Sequence, residues 1–249
     1  MYVNVNNETV GISAEVAIAG AFNVAIDSYY ASRAEERIVQ YIMPHIKQVF
    51  QNNSIPAPVK HIAQGQNPVD FELSNNKTLS VKTNQTNIGR AAPQNIGQPT
   101  SVTYFEYIKA ELNYDVYNEL RKRGLSDTYE NRAKLFKEIS INRIGEVINI
   151  YWRNMFDCDY LLFVYNVISA SGTLMNQPCF KVFGKSAVPP KWDVSRFSFT
   201  QSIDSWNESC TLKYRGMAIG NFQVHSNRNC FKFRFNMDNI MNLINNNMI

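Results

Sequence analysis

The chain has 249 residues, with 25 Lys and Arg against 21 Asp and Glu and a formal net charge of +4. That length can bury a sizeable core, as one large domain or two small ones. So small a cationic excess excludes nucleic-acid binding by net charge alone, which leaves clustered cations as the only electrostatic route to it. The apolar share of 45% is ordinary for a globular protein.

From about Ile12 to Phe50 the apolar spacing is helical, as two helices broken near Asp27-Ser28. The apolar run Val16 to Ile26 has no basic start and lies behind Glu8 and Glu15, so it reads as a buried helix rather than a signal peptide. No stretch approaches the ~20 apolar residues that span a bilayer, and no membrane partner is expected. Between Ser32 and Phe50, the residues Ile38, Val39, Ile42, Met43, Ile46, Val49 and Phe50 form one stripe. Projected at about 100° per residue, Glu35 falls near the middle of that stripe and Glu36 at its edge. A carboxylate aimed at a core is costly without a partner, and a metal ion is one such partner. The alternative is a wet first-turn Glu35, with Ser32 as cap and its charge suited to the helix dipole.

After the polar turn Gln51 to Pro58, a short strand is expected at Val59-Ile62. Two further strands follow, Asn67 to Leu73 and Thr78 to Thr83, joined by a turn at Ser74-Asn75-Asn76-Lys77. The first brings Asp70 and the second Lys82. A carboxylate beside an ammonium on neighbouring strands suits a divalent metal held next to a phosphate. The carboxylate is a hard ligand, the metal activates water and polarises the phosphoryl group, and the lysine orients the water or neutralises developing charge.

Pro68-Val69-Asp70 followed by Ser80-Val81-Lys82 resembles the PD-(D/E)xK nuclease superfamily, with Val69 inserted in its first half. The pattern is most similar to the restriction-endonuclease branch in which serine replaces the last acidic position. This resemblance implies an α/β fold with a mixed central β-sheet flanked by helices, and Mg²⁺ as cofactor. It implies that Asp70 binds the metal, that Lys82 positions or activates the attacking water, and that Ser80 hydrogen-bonds within the site. A second carboxylate must complete the metal shell. Many relatives present a glutamate from an early helix, which ranks Glu35 first. Glu106, on the helix after the next loop, is second, although it lies farther from Lys82 than the pattern leads one to expect. Glu72, two residues past Asp70 on the same strand face, is third. Of the histidines His45, His61 and His225, none marks a nucleophile pair, and each is expected to be structural or exposed; His61, just ahead of the Asp70 strand, is the one placed to face the site.

The segment Thr83 to Ser101 has almost no large apolar residues and reads as a loop with turns at Gly89, Pro93, Gly97 and Pro99. It carries Asn84, Gln85, Asn87, Arg90, Gln94, Asn95 and Gln98. Asn and Gln pair with adenine and Arg with guanine, so the loop is a candidate to read or clamp DNA; a flexible polar loop is the alternative. A helix capped by Thr100 or Ser101 runs on towards Leu120, stopped by Gly124, and another helical stretch covers Thr128 to Met155. Tyr160 to Val167 is a central strand, paired with Phe180 to Phe183 across a turn near Ser171-Gly172.

Between Ser209 and Met237 lie Lys213, Arg215, Arg228, Lys232 and Arg234, with no Asp or Glu. Three antiparallel strands are expected there, turned at Gly216, with aromatics on one face and cations on the other. Such a face tracks phosphates; a normal solvated sheet face is the alternative. Cys158, Cys179, Cys210 and Cys230 form no CxxC pair, which argues against a zinc site and for reduced thiols in a cytoplasm.

These elements give an α/β chain with a mixed central sheet, helices on its faces and additional C-terminal antiparallel strands. The whole 1–249 reads as one nuclease domain, with the tail at about 190–249 a candidate DNA-binding subdomain. The leading expectation is a Mg²⁺-dependent, sequence-specific double-stranded DNA endonuclease of Type II restriction kind, acting as a monomer or homodimer. The rivals are a structure-specific repair nuclease of the same fold and a non-catalytic DNA-binding protein.

Overall fold

The computed structural model describes residues 5–63, 67, 69–184 and 188–249. Pro68 of the nuclease-like pattern lies outside them. The chain divides into two compact units, Met1–Gly89 with Phe156–Ser186, and Arg90–Met155 with Ala187–Ile249.

The first unit opens with helix α1, Asn7–Phe22, capped by the Asn6 side chain on the Thr9 N–H and closed by Asn23 in the left-handed region. Val10, Ala14, Ala17, Ile18 and Ala21 are all buried, so α1 is apolar almost all round and lies inside its unit. A four-residue helix α2, Ser28–Ala31, is capped by Asp27. Helix α3 follows at Glu36–Asn52 and buries Ile38, Val39, Ile42, Ile46 and Phe50, the expected stripe. Ser32 closes α2 rather than capping α3, and Glu35 takes the cap position of α3 without a capping side-chain bond. Phe22 and Phe50, ring centroids 4.8 Å apart, join α1 to α3.

Against these helices lies a five-stranded mixed sheet. Its strands are β1 (Pro58–His61), β2 (Phe71–Leu73), β3 (Lys77–Thr83), β5 (Tyr160–Tyr165) and β6 (Cys179–Gly184), in spatial order β1-β2-β3-β5-β6. The β2–β3 turn uses Asn75 and Asn76 at φ 66° and 56°, a backbone region that Asn tolerates. The pair β3–β5 is parallel and the other pairs are antiparallel. A parallel pair needs a long crossover, and residues 90–155 supply it.

The second unit holds α4 (Ser101–Leu112), α5 (Val116–Lys122), α6 (Tyr129–Asn142), α7 (Ile144–Met155) and α8 (Met237–Asn245). The single helix expected from 101 towards 120 is broken at Asn113, which is left-handed at φ 50°, and the stretch 128–155 is broken at Arg143. Helix α8 escapes a sequence reading because its three buried residues, Met237, Ile240 and Leu243, sit among asparagines.

Its sheet is antiparallel throughout, with β4 (Arg90–Ala91), β7 (Phe197–Phe199), β8 (Ser209–Tyr214), β9 (Met217–His225) and β10 (Cys230–Asn236) in the order β4-β10-β9-β8-β7. The three expected C-terminal strands are present, and Arg215 and Gly216, both at positive φ, make the hairpin turn. The polar loop is not wholly a loop: Arg90-Ala91 pairs with β10, and Ile88 and Ile96 are buried. The aromatic face of β10 packs on the helices. Phe231 stacks on Phe136 at 4.3 Å and Phe233 on Tyr151 at 4.2 Å.

Gly220 on β9 lies under the Phe233 ring, where an added Cβ would come within 2.5 Å of it. Gly220→Ala is expected to destabilise the protein by about 1–3 kcal/mol through overpacking. Urea unfolding measures this, and an unchanged midpoint would mean that the ring moves aside at no cost.

Candidate active site

Asp70 stands one residue before β2. Its backbone N–H donates to Leu79 O and its carbonyl accepts from the Ile62 N–H, both at 2.9 Å. The sheet thereby fixes the direction of its side chain. The Oδ2 atom accepts the Val81 N–H at 2.6 Å and the Ser80 hydroxyl at 3.2 Å. Among the described residues nothing donates to Oδ1. Lys82 follows Ser80 by two positions and shares its strand face.

A second carboxylate bears on this cluster, and it is Glu15 of α1. Glu15 is 7% exposed in an otherwise apolar helix. Its Oε2 accepts from the Tyr30 hydroxyl and from the His61 ring, each at 2.8 Å. Helix α1 can lie close over β3 because Gly11 has no side chain; a Cβ there would be 3.3 Å from Thr83 Oγ1, which itself donates to Asn7 O.

Burial and then the negative charge of Glu15 push the Asp70 carboxyl up to about 6, against the opposing pull of Lys82, the Val81 N–H and Ser80. Burial and Glu15 also raise the Tyr30 phenol, which stays protonated as a donor. Cys158, influenced by Ser80, Lys82 and Asp70, is pushed up to about 12 mainly by burial, so it is a packed thiol and not a nucleophile.

Asp70, Ser80 and Lys82 are therefore brought together as the sequence suggests. Glu35 is not among them in the described contacts; its carboxylate pairs with Arg37 at 3.0 Å. Glu72 is exposed and faces Lys60 across β1–β2 at 4.0 Å. Glu106 belongs to the second unit and is exposed on α4. The residue that sequence reading passes over is Glu15. Its signal is a lone carboxylate inside the apolar run from Val10 to Ala21, where burial demands a partner. His61, the histidine placed to face the site, does adjoin it through Glu15.

Among the described residues no group of three His, Cys, Asp or Glu side chains is arranged around a common metal position. The donor set still fits a small hard cation. Magnesium keeps several waters and is often held by one or two carboxylates plus substrate phosphate. Asp70 and Glu15 supply two carboxylates, each with one oxygen that the described residues leave without a donor.

The polar segment is shared between the units. Asn84 is engaged internally, donating to Ile88 O at 2.5 Å and accepting from Asn7 at 3.3 Å, and Gln85 donates to Val5 O at 2.6 Å. Asn87, in the first unit, is exposed, as are Arg90, Asn95 and Gln98 in the second; Gln94 is half-buried there. Arg90 joins the basic strands, since Asn236 is its partner on β10 and its charge bears on Arg234. Lys232 lies opposite Gln223, and Arg234 opposite Asn221. Arg234 is exposed, whereas Lys232 is only 9% exposed and is not the freely solvated cation that strand alternation suggests. Burial lowers the His225 imidazole, and Lys232, Arg228 and Arg234 lower it further, so these cations form one electrostatic cluster. Lys213 is half-buried on β8, and Arg215 and Arg228 are exposed in turns.

The chain is similar to the Type II restriction enzyme CviAII of Paramecium bursaria Chlorella virus 1, with 31% identity over 181 residues, or 73% of this chain. The matched part spans 45% of that enzyme's length. No family model and no solved structure matches the chain. Among the described residues no helix is long and apolar enough to cross a membrane.

The raised Asp70 has a consequence for stability. Its unfolded value is about 3.9 and its folded value about 6, so between these only the folded chain keeps the proton. The stability of the metal-free protein should fall as pH rises through that window. Asp70→Asn should flatten the slope and raise Tm at neutral pH, with the difference gone below the unfolded value. Thermal melts across pH in a chelator check this; parallel curves for the two proteins would refute it.

Proposed function

We propose that the chain hydrolyses phosphodiester bonds of double-stranded DNA as a Mg²⁺-dependent, site-specific endonuclease of the Type II restriction kind. We further propose that its site is a serine-containing variant of the PD-(D/E)xK pattern. The observation that carries the reading is the convergence of Asp70, Ser80 and Lys82 on adjacent strands with the Glu15 carboxylate beside them. The similarity to a Type II restriction enzyme supports it.

In this reading Asp70 and Glu15 hold the cation, each through the oxygen that the protein leaves undonated. When bound, Mg²⁺ would polarise the scissile phosphoryl group and make water more acidic. Ser80 and the Val81 N–H keep Asp70 in one rotamer. Lys82 orients the attacking water and offsets the negative charge that builds on the phosphate. The second unit supplies phosphate contacts from Arg90, Arg234 and their neighbours, and exposed Asn95 and Gln98 are candidates to touch bases.

A plasmid digest with Mg²⁺ tests the reading. Discrete bands are expected. A smear would favour a structure-specific nuclease, and retarded uncut DNA a non-catalytic binder. Asp70→Ala, Lys82→Ala and Glu15→Gln should each abolish cleavage while leaving DNA retardation largely intact, and cleavage retained by Asp70→Ala or Lys82→Ala would remove the site assignment.

The basic strands generate a separate expectation. Arg90→Ala and Arg234→Ala should weaken binding to cognate and random duplexes by similar factors. Each should also reduce the slope of log K on log salt by about one, because each arginine neutralises one phosphate. Affinities across a salt series decide it. A weakening confined to the cognate duplex would mean that these arginines read bases.

A further inference from the structure

Glu15 is held in an unusual way for a buried carboxylate. Three separate elements converge on it: α1 carries it, α2 brings Tyr30, and His61 comes from the end of β1. Both donors, the Tyr30 hydroxyl and the His61 Nε2, reach the same oxygen, Oε2, at 2.8 Å. Among the described residues nothing donates to Oε1. The donors are themselves fixed. Tyr30 is anchored by its backbone N–H on the Asp27 cap at 2.8 Å. The His61 ring is 2% exposed and lies between Tyr30 and Phe71, with both ring centroids at 5.0 Å. Phe71 adjoins Asp70 in the chain, so the same histidine ties the Glu15 helix to the strand that delivers the other carboxylate.

A carboxylate needing only to be satisfied would gain from spreading its hydrogen bonds over both oxygens. Here they are concentrated on one. We propose that Tyr30 and His61 are positioning residues that clamp Oε2 of Glu15, so that Oε1 is presented to the divalent cation shared with Asp70. The inference rests on the reading of this site as a metal-dependent nuclease. Donors behind a ligand set its orientation and basicity, and their loss typically costs 10- to 100-fold in metal affinity.

The test is Mn²⁺ binding to the DNA-free protein by calorimetry, alongside cleavage kinetics. Tyr30→Phe removes one donor and keeps the ring, and should weaken Mn²⁺ by about tenfold. His61→Leu should do the same, whereas His61→Gln, whose amide can still donate to Oε2, should recover most of the affinity. In a Glu15→Gln background, Tyr30→Phe should change nothing further, because it acts through that carboxylate. In cleavage, Tyr30→Phe should lower kcat and raise the Mg²⁺ concentration for half-maximal rate, with KM for DNA unchanged. The inference is overturned if Tyr30→Phe and His61→Leu fold normally and bind Mn²⁺ as the parent does, or if His61→Gln is as damaging as His61→Leu. A parent that binds Mn²⁺ through Glu15 in this donor-dependent way but cuts no DNA would support the clamp and overturn the proposed nuclease alone. A parent that binds no Mn²⁺ would overturn the clamp.

Discussion

Two carboxylates held partly out of water and near one another are the constraint around which the first unit is arranged. Neither is cheap to place. Asp70 is compensated by the Val81 N–H, the Ser80 hydroxyl and the field of Lys82, and Glu15 by Tyr30 and His61. Burial, and then repulsion from Glu15, still raise the proton affinity of Asp70. Groups in such a condition cost folding energy, and they persist where a bound cation or a reaction repays it. The sheet supplies the rigidity this needs, since Asp70 is hydrogen-bonded to strands on both sides and β3 is paired on both edges.

The second unit follows a different logic. The aromatic residues of β10 are gathered on one side of an antiparallel sheet, stacked on α6 and α7, and the strand cations Lys232 and Arg234 alternate with them. Strand alternation lets Phe231, Phe233 and Phe235 be buried while Arg234 remains exposed between them, although Lys232 on the same strand is largely covered. Gathering cations is unfavourable in an isolated protein: burial lowers the His225 imidazole first, and Lys232, Arg228 and Arg234 lower it further against the opposing charge of Glu208. Such a gathering becomes favourable against a polyanion.

Much of this was legible in the sequence, for identifiable reasons. The hairpin carrying Asp70 and Lys82 could be read because strand alternation and an Asn-rich turn are local signals. The stripe of α3 and the three C-terminal strands were legible in the same way. What escaped depended on contacts remote in the chain. Glu15 sits in a helix whose uniform apolarity hides its facing, so periodicity could not show where its carboxylate points. Glu35 drew attention because it projects onto a stripe, but it sits at the cap position, where the helical projection no longer holds. The pairing of Arg90 with Asn236 joins two segments that local reading kept apart, and only the sheet register reveals it.

The parallel pairing of β3 with β5 has a consequence for how the protein comes into being. Strand β5 begins only after residues 90–155 have been made, and those residues belong to the other unit, whose strands β7 to β10 come later still. Neither unit is a continuous stretch of chain, so neither can close while the ribosome is still short of the other's opening segments. Loop closures of this length slow folding and expose unpaired strand edges meanwhile. On a ribosome, the partners of Asp70 and Glu15, which all lie between Tyr30 and Lys82, precede β5, so a nascent chain stopped before Tyr160 would carry Asp70 and Lys82 on strands whose β3 edge has yet to find its partner.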